Sequence, residues 1–245
     1  MKRAIIVGAT SGIGREVAKE MLNDGWILGI AGRREEELKT LQALAPDRIS
    51  IQILDVTNED APGKLHQLID QVGGMDLFFL SSGIGKQNRD LNPDIEIPVF
   101  QTNVTGFGRM VIAAFQYFKI QKGGHIAVIS SIAGTKGLGS APAYSATKRF
   151  QNTYIESLSQ LACMEQLNIC FTDIRPGFVK TAILNDANNY PMLMKPDYVA
   201  RHIIKAIKRR RKVVVIDWRY ALLVFFWQMI PRWLWIRLKI QTKRH

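Results

Sequence analysis

Hydrophobic and polar positions follow two patterns that alternate along the whole chain. Short apolar, β-rich runs predict seven strands, at residues 4–7, 26–31, 49–54, 77–80, 125–130, 170–174 and 213–216. Longer stretches of mixed apolar and polar residues predict helices at residues 14–24, from 35, and at 61–72, 98–118, 143–166 and 196–211. Strands that alternate with helices in this way are typical of a parallel sheet with helices on both faces.

The pattern therefore predicts an α/β fold, a single Rossmann-type doubly wound domain around a seven-stranded parallel sheet. With 245 residues, 47% of them hydrophobic, the chain is long enough to bury a substantial core. We expect this domain to cover residues 1–217, followed by a C-terminal apolar, basic extension at residues 218–245. The extension is expected either to belong to the same domain or to contact a membrane.

The turn after the first predicted strand is rich in glycine and leads into a helix. It reads Gly8-Ala9-Thr10-Ser11-Gly12-Ile13-Gly14. Because glycine has no Cβ, a pyrophosphate can approach the backbone N–H groups and the positive end of the helix dipole. The turn predicts a nucleotide site, and the alternative is a glycine-rich turn that holds no ligand.

Two adjacent arginines follow the end of the second predicted strand, where dinucleotide-binding folds place the adenosine ribose. At this position an acidic residue selects NAD, whereas an arginine accepts the extra phosphate of NADP. Here the chain reads Ala31-Gly32-Arg33-Arg34, with no carboxylate to repel a phosphate. We therefore predict that NADP(H) is preferred over NAD(H). The alternative is an exposed helix start, which the glutamates at residues 35–37 also fit.

A tyrosine and a lysine stand four residues apart in Ala143-Tyr144-Ser145-Ala146-Thr147-Lys148, and Ser131 precedes this tyrosine by thirteen residues. Residues i and i+4 share a helix face, so Lys148 can hold its ammonium near the phenol oxygen. A neighbouring cation favours the ionised form of a phenol, whose ordinary pKa is about 10. Tyr144 is therefore a candidate general acid or base. Ser131 follows a strand that ends at the ligand-binding edge of the sheet.

Over about residues 1–217, these motifs resemble the classical short-chain dehydrogenase/reductase family. The resemblance implies an active site of Ser131, Tyr144 and Lys148, together with Asn103 in the run Asn103-Val104-Thr105-Gly106. It implies that Tyr144 protonates a ketone oxygen that Ser131 positions. It also implies that Lys148 lowers the pKa of Tyr144 and holds the nicotinamide ribose, and that Asn103 anchors a water that passes protons to Lys148.

The resemblance also implies further cofactor contacts. Within Arg175-Pro176-Gly177-Phe178-Val179-Lys180-Thr181, Pro176 and Gly177 lie beside the nicotinamide, and Val179 and Thr181 contact its carboxamide. Asp55 and Val56 end the third predicted strand, where Asp55 either accepts a hydrogen bond from the adenine amino group or caps the next turn.

Two positions depart from the family pattern. Ser81-Ser82-Gly83 stands where the family usually has Asn-Ala-Gly, and Val7 replaces the threonine that usually precedes the first glycine. Ser82 and Gly83 are still expected beside the cofactor.

The net charge of +12 is concentrated at the C-terminal end. Residues 201–245 carry 13 Lys and Arg against the single Asp217, and they also contain four of the five tryptophans. Elsewhere, Cys163 and Cys170 are too few for a disulfide framework or a zinc site, so no metal is expected. The apolar run after Met1 is too short for a signal peptide, which favours a cytoplasmic protein.

The C-terminal extension contains the apolar run 220–227, which is too short to span a bilayer and is followed by Pro231. Apolar surface with interleaved tryptophan and arginine suits an anionic membrane surface, on the cytoplasmic face of a membrane. The alternative is that the extension packs on the body or on another subunit and walls the substrate site. Nucleic acid is not expected, because the aromatic residues are not interleaved with the cation cluster at 205–212.

Together these features predict an NADPH-dependent carbonyl reductase that acts on a large apolar ketone of lipid-like or steroid-like kind. Residues 183–194, with Met192 and Met194, are expected to form an adaptable lid. The resemblance implies a homodimer or homotetramer formed through the helices at 98–118 and 143–166. One alternative is a reductase of 3-oxoacyl groups on an acidic carrier protein that docks at residues 208–212. Another is a nucleotide-binding regulatory protein whose reductase site is idle.

Overall fold

The computed structural model describes residues 2–184 and 190–240, and within these ranges the chain forms seven strands. They are β1 (Arg3–Val7), β2 (Ile27–Gly32), β3 (Ile49–Ile53), β4 (Leu77–Leu80), β5 (Gly124–Ile129), β6 (Ile169–Arg175) and β7 (Val213–Val215). The α-helices in the same ranges are α1 (Gly12–Asn23), α2 (Glu35–Gln42), α3 (Ala61–Val72), α4 (Pro93–Phe100), α5 (Phe107–Gln121), α6 (Pro142–Met164), α7 (Pro196–Lys208), α8 (Trp218–Met229) and α9 (Arg232–Trp235).

All seven strands form one parallel sheet in the order β3-β2-β1-β4-β5-β6-β7. The order reverses between β1 and β4, which are neighbours in the sheet although two strands separate them in the chain. In a doubly wound sheet, ligands bind outside the carboxyl ends of the strands at this switch point. The predicted fold class is confirmed.

Two hydrophobic cores lie on opposite faces of the sheet, because successive strand residues point to opposite sides. In β1, Ala4 and Ile6 join the core under α1, α2, α7 and α8, whereas Ile5 and Val7 join the core under α3, α5 and α6. All four side chains are fully buried. Strands covered on both faces are apolar at nearly every position, which explains the runs in the sequence.

The helix predicted at residues 98–118 begins earlier and is not a regular α-helix throughout. The Asn92 side chain accepts a hydrogen bond from the Asp94 amide at 2.9 Å and caps α4, which has Pro93 in its first turn. Pro98 lies inside α4 and cannot donate a backbone hydrogen bond there. A π-helical segment, Gln101–Gly106, connects α4 to α5 and carries Asn103. Such segments occur often at functional sites.

The C-terminal helix α8 packs on the body through one stripe of side chains. Tyr220 and Val224 are buried in the core, and Trp227 packs against it. The Tyr220 hydroxyl donates to the Pro191 carbonyl at 2.8 Å and accepts from the Phe178 amide at 3.1 Å. Across residues 2–184 and 190–240, no helix combines the length and apolar composition needed to cross a bilayer.

The lid predicted at residues 183–194 falls partly outside the described residues. Within them, Met194 is buried in the core and exchanges backbone hydrogen bonds with the segment after β6. It accepts from the Lys180 amide at 2.9 Å and donates to the Phe178 carbonyl at 3.0 Å. The Met194 side chain therefore contributes to the core, whereas Ile183 and Leu184 line the cleft described below.

Candidate active site

A cleft at the carboxyl ends of the strands brings together residues from distant parts of the chain. All of the predicted cofactor residues except Gly14 line it, namely Gly8, Thr10, Ser11, Gly12, Ile13, Arg33, Arg34, Asp55, Val56, Ser82, Gly83, Tyr144, Lys148, Pro176, Gly177, Val179 and Thr181. Of the predicted catalytic residues, Tyr144 and Lys148 line the cleft, whereas Asn103 and Ser131 are buried next to it.

The three glycines of the turn between β1 and α1 have different structural roles. A methyl group at Gly14 would stand 2.1 Å from the Gly8 carbonyl oxygen, so Gly14 lets α1 pack closely on the turn. At Gly8, where φ is +94°, a methyl group would stand 2.6 Å from the Ser82 amide nitrogen. Gly12 has φ of +56° and faces the Thr181 methyl group across the cleft. Gly14 therefore shapes the cleft without lining it.

The N-terminal end of α1 provides donors for an anion. The Ser11 side chain does not cap the helix, so the first-turn N–H groups at Gly12 and Ile13 donate no hydrogen bond to it. Gly12 and Ile13 line the cleft. These uncapped donors at the positive end of the helix dipole fit a pyrophosphate. The nearby Arg34 guanidinium donates to the Thr10 hydroxyl at 2.9 Å, which fixes this arginine against the glycine-rich turn.

The end of β3 places a carboxylate beside the other arginine. One Asp55 oxygen accepts hydrogen bonds from the amide and the hydroxyl of Thr57, at 3.0 and 2.8 Å. The other oxygen lies 3.7 Å from the Arg33 guanidinium, whose side chain is 69% exposed. Burial acts to raise the pKa of Asp55, but the Thr57 hydrogen bonds and the Arg33 charge outweigh it and lower that pKa. Asp55 thus caps the turn, one of its two expected roles.

Tyr144 and Lys148 lie on one face of α6, as their spacing predicts. The Lys148 ammonium is 5.7 Å from the centre of the Tyr144 ring and donates to the Ile129 carbonyl at 3.0 Å. Tyr144 is partly buried, and the nearby Ser131 hydroxyl donates to the Pro176 carbonyl at 3.4 Å. The Ser131 oxygen also accepts from the Ala133 amide at 3.1 Å.

The pKa of Tyr144 differs from the sequence-based expectation. Burial raises this pKa above its ordinary value, and the hydrogen bond with Ser131 offsets only part of the rise. Burial also lowers the pKa of Lys148 to about 8, against the opposing charge of Asp173. Burial therefore outweighs the lowering of the tyrosine pKa that is expected from Lys148.

Asn103 links two segments around the cleft. Its side-chain oxygen accepts from the Ile84 amide at 2.9 Å, and its side-chain nitrogen donates to the Ile84 carbonyl at 2.7 Å. The same nitrogen donates to the Thr147 hydroxyl at 3.1 Å. The Asn103 side chain therefore holds the segment after β4 against α6. Its backbone carbonyl accepts a hydrogen bond from the Gln151 side chain at 2.9 Å.

A buried polar cluster that sequence reasoning missed lies behind Lys148. Asp173, on β6, is 2% exposed and accepts hydrogen bonds from Ser130, from Asn152 at 2.9 Å and from Arg175 at 2.7 Å. A carboxylate buried this deeply requires several donors. The cluster joins the ends of β5 and β6 to α6, and the only sequence signal for it is a charged residue within an apolar strand.

Comparisons with known proteins agree with this geometry. The family model for short chain dehydrogenases matches residues 2–191. The chain belongs to the short-chain dehydrogenase family. This short-chain dehydrogenase is accordingly an NAD(P)-dependent oxidoreductase, as the site predicts.

Relatives of this short-chain dehydrogenase occur in bacteria and animals. An uncharacterized oxidoreductase of Myxococcus xanthus (strain DK1622) is 33% identical over 241 residues, which cover 94% of this chain and 93% of the relative. Dehydrogenase/reductase SDR family member 7B of Xenopus tropicalis is 30% identical over 236 residues, covering 86% and 76%. An alcohol dehydrogenase from the archaeon Thermococcus sibiricus, complexed with 5-hydroxy-NADP, has the same fold. Its TM-score is 0.78 at 22% identity, and the match covers 88% of this chain and 96% of that chain.

Gly85 offers a test of how tightly the tyrosine is positioned. A methyl group at Gly85 would stand 2.3 Å from the Tyr144 ring, so Gly85→Ala must displace the ring. A displacement near 1 Å at a reacting group lowers turnover by up to about 100-fold. We expect Gly85→Ala to lower kcat at least about tenfold and to leave the Kd for the nicotinamide nucleotide within about twofold. Steady-state kinetics and fluorescence titration measure the two quantities.

The matched control is Gly63→Ala in α3, where a methyl group would meet no atom within 4 Å. Unchanged kcat in Gly85→Ala, with a folded protein, would show that the position of the Tyr144 ring does not limit turnover.

Proposed function

We propose that this protein is an NADPH-dependent carbonyl reductase that transfers hydride to a large apolar ketone, lipid-like or steroid-like. The observation that carries the proposal is that Tyr144 and Lys148 line the same cleft as the glycine-rich turn and the two arginines. A proton donor and a dinucleotide site in one cleft are the two parts that ketone reduction requires.

The residues of the cleft fit the cofactor from one end to the other. The first-turn N–H groups of α1 and the hydroxyl of Thr10 suit the pyrophosphate, and Arg33 and Arg34 suit a ribose phosphate. Lys148 suits the nicotinamide ribose. Bound NADPH supplies the hydride.

The proton chemistry belongs to Tyr144, Ser131 and Lys148. A raised pKa keeps the Tyr144 hydroxyl protonated at neutral pH, so it can donate its proton to the carbonyl oxygen as hydride adds to the carbonyl carbon. Ser131, which is buried next to the cleft, can hold the same carbonyl oxygen. Lys148 has a pKa of about 8, so its ammonium is mostly charged at neutral pH and stabilises the phenolate left behind.

The test of this proposal is NADPH consumption with a 3-keto long-chain base, a steroid ketone and a 3-oxoacyl thioester, measured with and without anionic vesicles. We expect turnover of an apolar ketone that Tyr144→Phe lowers by at least about 100-fold, because the variant has no proton to donate. Nucleotide binding by Tyr144→Phe, followed by fluorescence, is the control for folding.

Two results would contradict this proposal. Turnover confined to the thioester on an acidic carrier protein, with strong salt sensitivity, would favour the carrier-protein reductase. NADPH binding without turnover of any ketone would favour a regulatory role for the nucleotide site.

Preference for NADP(H) follows in our proposal from Arg33 and Arg34. Both line the cleft, Arg34 is fixed by Thr10, and Arg33 is largely exposed with its guanidinium near Asp55. The alcohol dehydrogenase of Thermococcus sibiricus, which shares the fold, was solved with an NADP derivative. Two guanidinium groups at this edge suit a 2′-phosphate, whereas NAD(H) offers them no anion at that position.

Replacing Arg33 tests the cofactor preference. We expect Arg33→Ala to raise KM for NADPH by roughly tenfold, since a hydrogen bond to a charged group contributes about 1.5–3 kcal/mol before solvent screening. KM for NADH should stay within about twofold, and the NADPH effect should shrink as salt is added. Lys39→Ala, an exposed cation on α2 away from the cleft, is the matched control. An equal loss with both nucleotides would show that Arg33 does not read the phosphate.

Our proposal of an apolar substrate rests on the position of the apolar C-terminal segment. This segment is hydrogen-bonded to the loop that follows Ser131. The Trp227 ring nitrogen donates to the Thr135 hydroxyl at 2.8 Å, and the Trp235 ring nitrogen donates to the Gly137 carbonyl at 2.7 Å. In the reverse direction, the Lys136 ammonium donates to the Ile230 carbonyl at 2.8 Å. The segment thus packs on the body, as one sequence-based alternative held, and in our proposal it walls the substrate site.

The outward face of the same segment remains apolar. It is formed by α8, α9 and the residues after them, with the large exposed side chains Trp218, Leu222, Leu223, Phe225, Phe226, Met229, Trp233, Leu234, Ile236, Leu238 and Ile240. The basic residues there include Arg237, whose guanidinium lies 5.7 Å from the centre of the Trp233 ring. Apolar side chains with tryptophan and cations suit the interface of an anionic bilayer, to which we propose that this face binds peripherally.

Exposed apolar side chains, such as those of the outward face, can also form a contact between subunits instead of binding a membrane. We propose that oligomers form through α5 and α6 instead, where Ile112, Leu161 and Met164 are exposed. These positions lie on the other side of the sheet from α8, since α5 and α6 cover the second core. A homodimer or homotetramer built there leaves the outward face of α8 free for a membrane.

Removal of the outward aromatic rings tests the membrane proposal. We expect the double variant Phe225→Ser and Phe226→Ser to lower co-sedimentation with phosphatidylserine vesicles by about tenfold or more, because burial of each ring in the interface is lost. Leu44→Ser, an exposed leucine of the body, is the matched control. Sedimentation velocity without vesicles accompanies both variants. Two results together would contradict the membrane proposal: wild-type protein that does not co-sediment with vesicles, and an oligomer that dissociates in the double variant. They would show that this face contacts a second subunit.

A further inference from the structure

Gln151 is hydrogen-bonded to both Lys148 and Asn103. It lies on α6, one turn after Lys148, and its side chain is fully buried. Its amide oxygen accepts from the Lys148 ammonium at 2.9 Å, and its amide nitrogen donates to the Asn103 backbone carbonyl at 2.9 Å. Both ends of one side chain are therefore used, and a single amide joins Lys148 to Asn103.

These contacts determine where the ammonium points. Two of the three donors of Lys148 are occupied, by the Ile129 carbonyl at 3.0 Å and by Gln151. A methyl group at Gly83, on the cleft wall, would stand 3.5 Å from the Lys148 nitrogen. The third donor is thus the one available to the cleft.

We propose that Gln151 is the positioning residue for Lys148, holding its ammonium in the charged form and at the cleft wall. This inference rests on the proposed reductase function. The Gln151 side-chain amide contacts both the Lys148 ammonium and the Asn103 carbonyl, so it fixes the ammonium relative to the segment that carries Asn103.

The charged groups around Lys148 set the expected pH dependence. Tyr144 faces it from the same helix, and Asp173 acts on it from β6 with its own partner Arg175. These groups stay the same when Gln151 is replaced. Acceptance of a hydrogen bond by Gln151 favours the ammonium form, so its loss must lower the pKa of Lys148.

The experiment compares two replacements of different size. Gln151→Met fills the space without a good acceptor, whereas Gln151→Ala leaves room for a water between the Lys148 nitrogen and the Asn103 carbonyl. We expect the alkaline limb of kcat against pH to move down by about one pH unit in Gln151→Met. In Gln151→Ala it should stay near the wild-type position, because a water restores the acceptor.

A role in packing alone predicts the opposite order, since alanine removes more buried atoms than methionine and would impair the enzyme more. Unshifted pH profiles in both variants, or a larger shift in Gln151→Ala, would therefore overturn the proposal. The Kd for NADPH measured against pH provides a readout without substrate, and its break point should move in the same order. If the proposed reductase function is wrong, wild-type protein will turn over no ketone. If only the Gln151 proposal is wrong, ketone turnover will be seen but the break point in NADPH binding will not move in this order.

Discussion

Burial of one ammonium group is the constraint around which the ligand-binding end of this fold is arranged. Lys148 is 4% exposed, and a buried cation must be given acceptors or lose its proton. The Ile129 carbonyl at the end of β5 and the Gln151 amide on α6 supply two acceptors, and the Asp173 carboxylate opposes the loss of charge from β6. One side chain therefore depends on the relative positions of two strands and a helix.

The same constraint explains why the polar residues of this region are connected. Asp173 is 2% exposed, and Ser130, Asn152 and Arg175 donate hydrogen bonds to its carboxylate. These contacts join the carboxyl ends of β5 and β6 to α6, the helix that carries Tyr144. A displacement of β5 would move the Ile129 carbonyl that accepts from the Lys148 ammonium, so the network supports the geometry that proton transfer needs.

The C-terminal segment connects this region to the surface. Helix α8 is apolar on nearly all sides, yet only the stripe of Tyr220, Val224 and Trp227 contacts the body. A helix of this kind is normally covered on its remaining side. Trp227 and Trp235 hydrogen-bond to the loop after Ser131, so in our proposal the segment that carries the outward face also walls the substrate site. Under that proposal, membrane contact and the choice of an apolar substrate depend on the same C-terminal segment.

The sequence by itself determined the sheet, the order of its helices and the residues that meet in the cleft. Those features depend on local signals: apolar runs, the glycines of the first turn, and the spacing of Tyr144 and Lys148 on one helix face. Only the tertiary structure decided that the pKa of Tyr144 is raised, that Gly85 lies against its ring and that Gln151 stands between Lys148 and Asn103. Each of these depends on burial or on contacts between residues distant in the chain, and spacing along one helix carries no information about what the rest of the fold places above it.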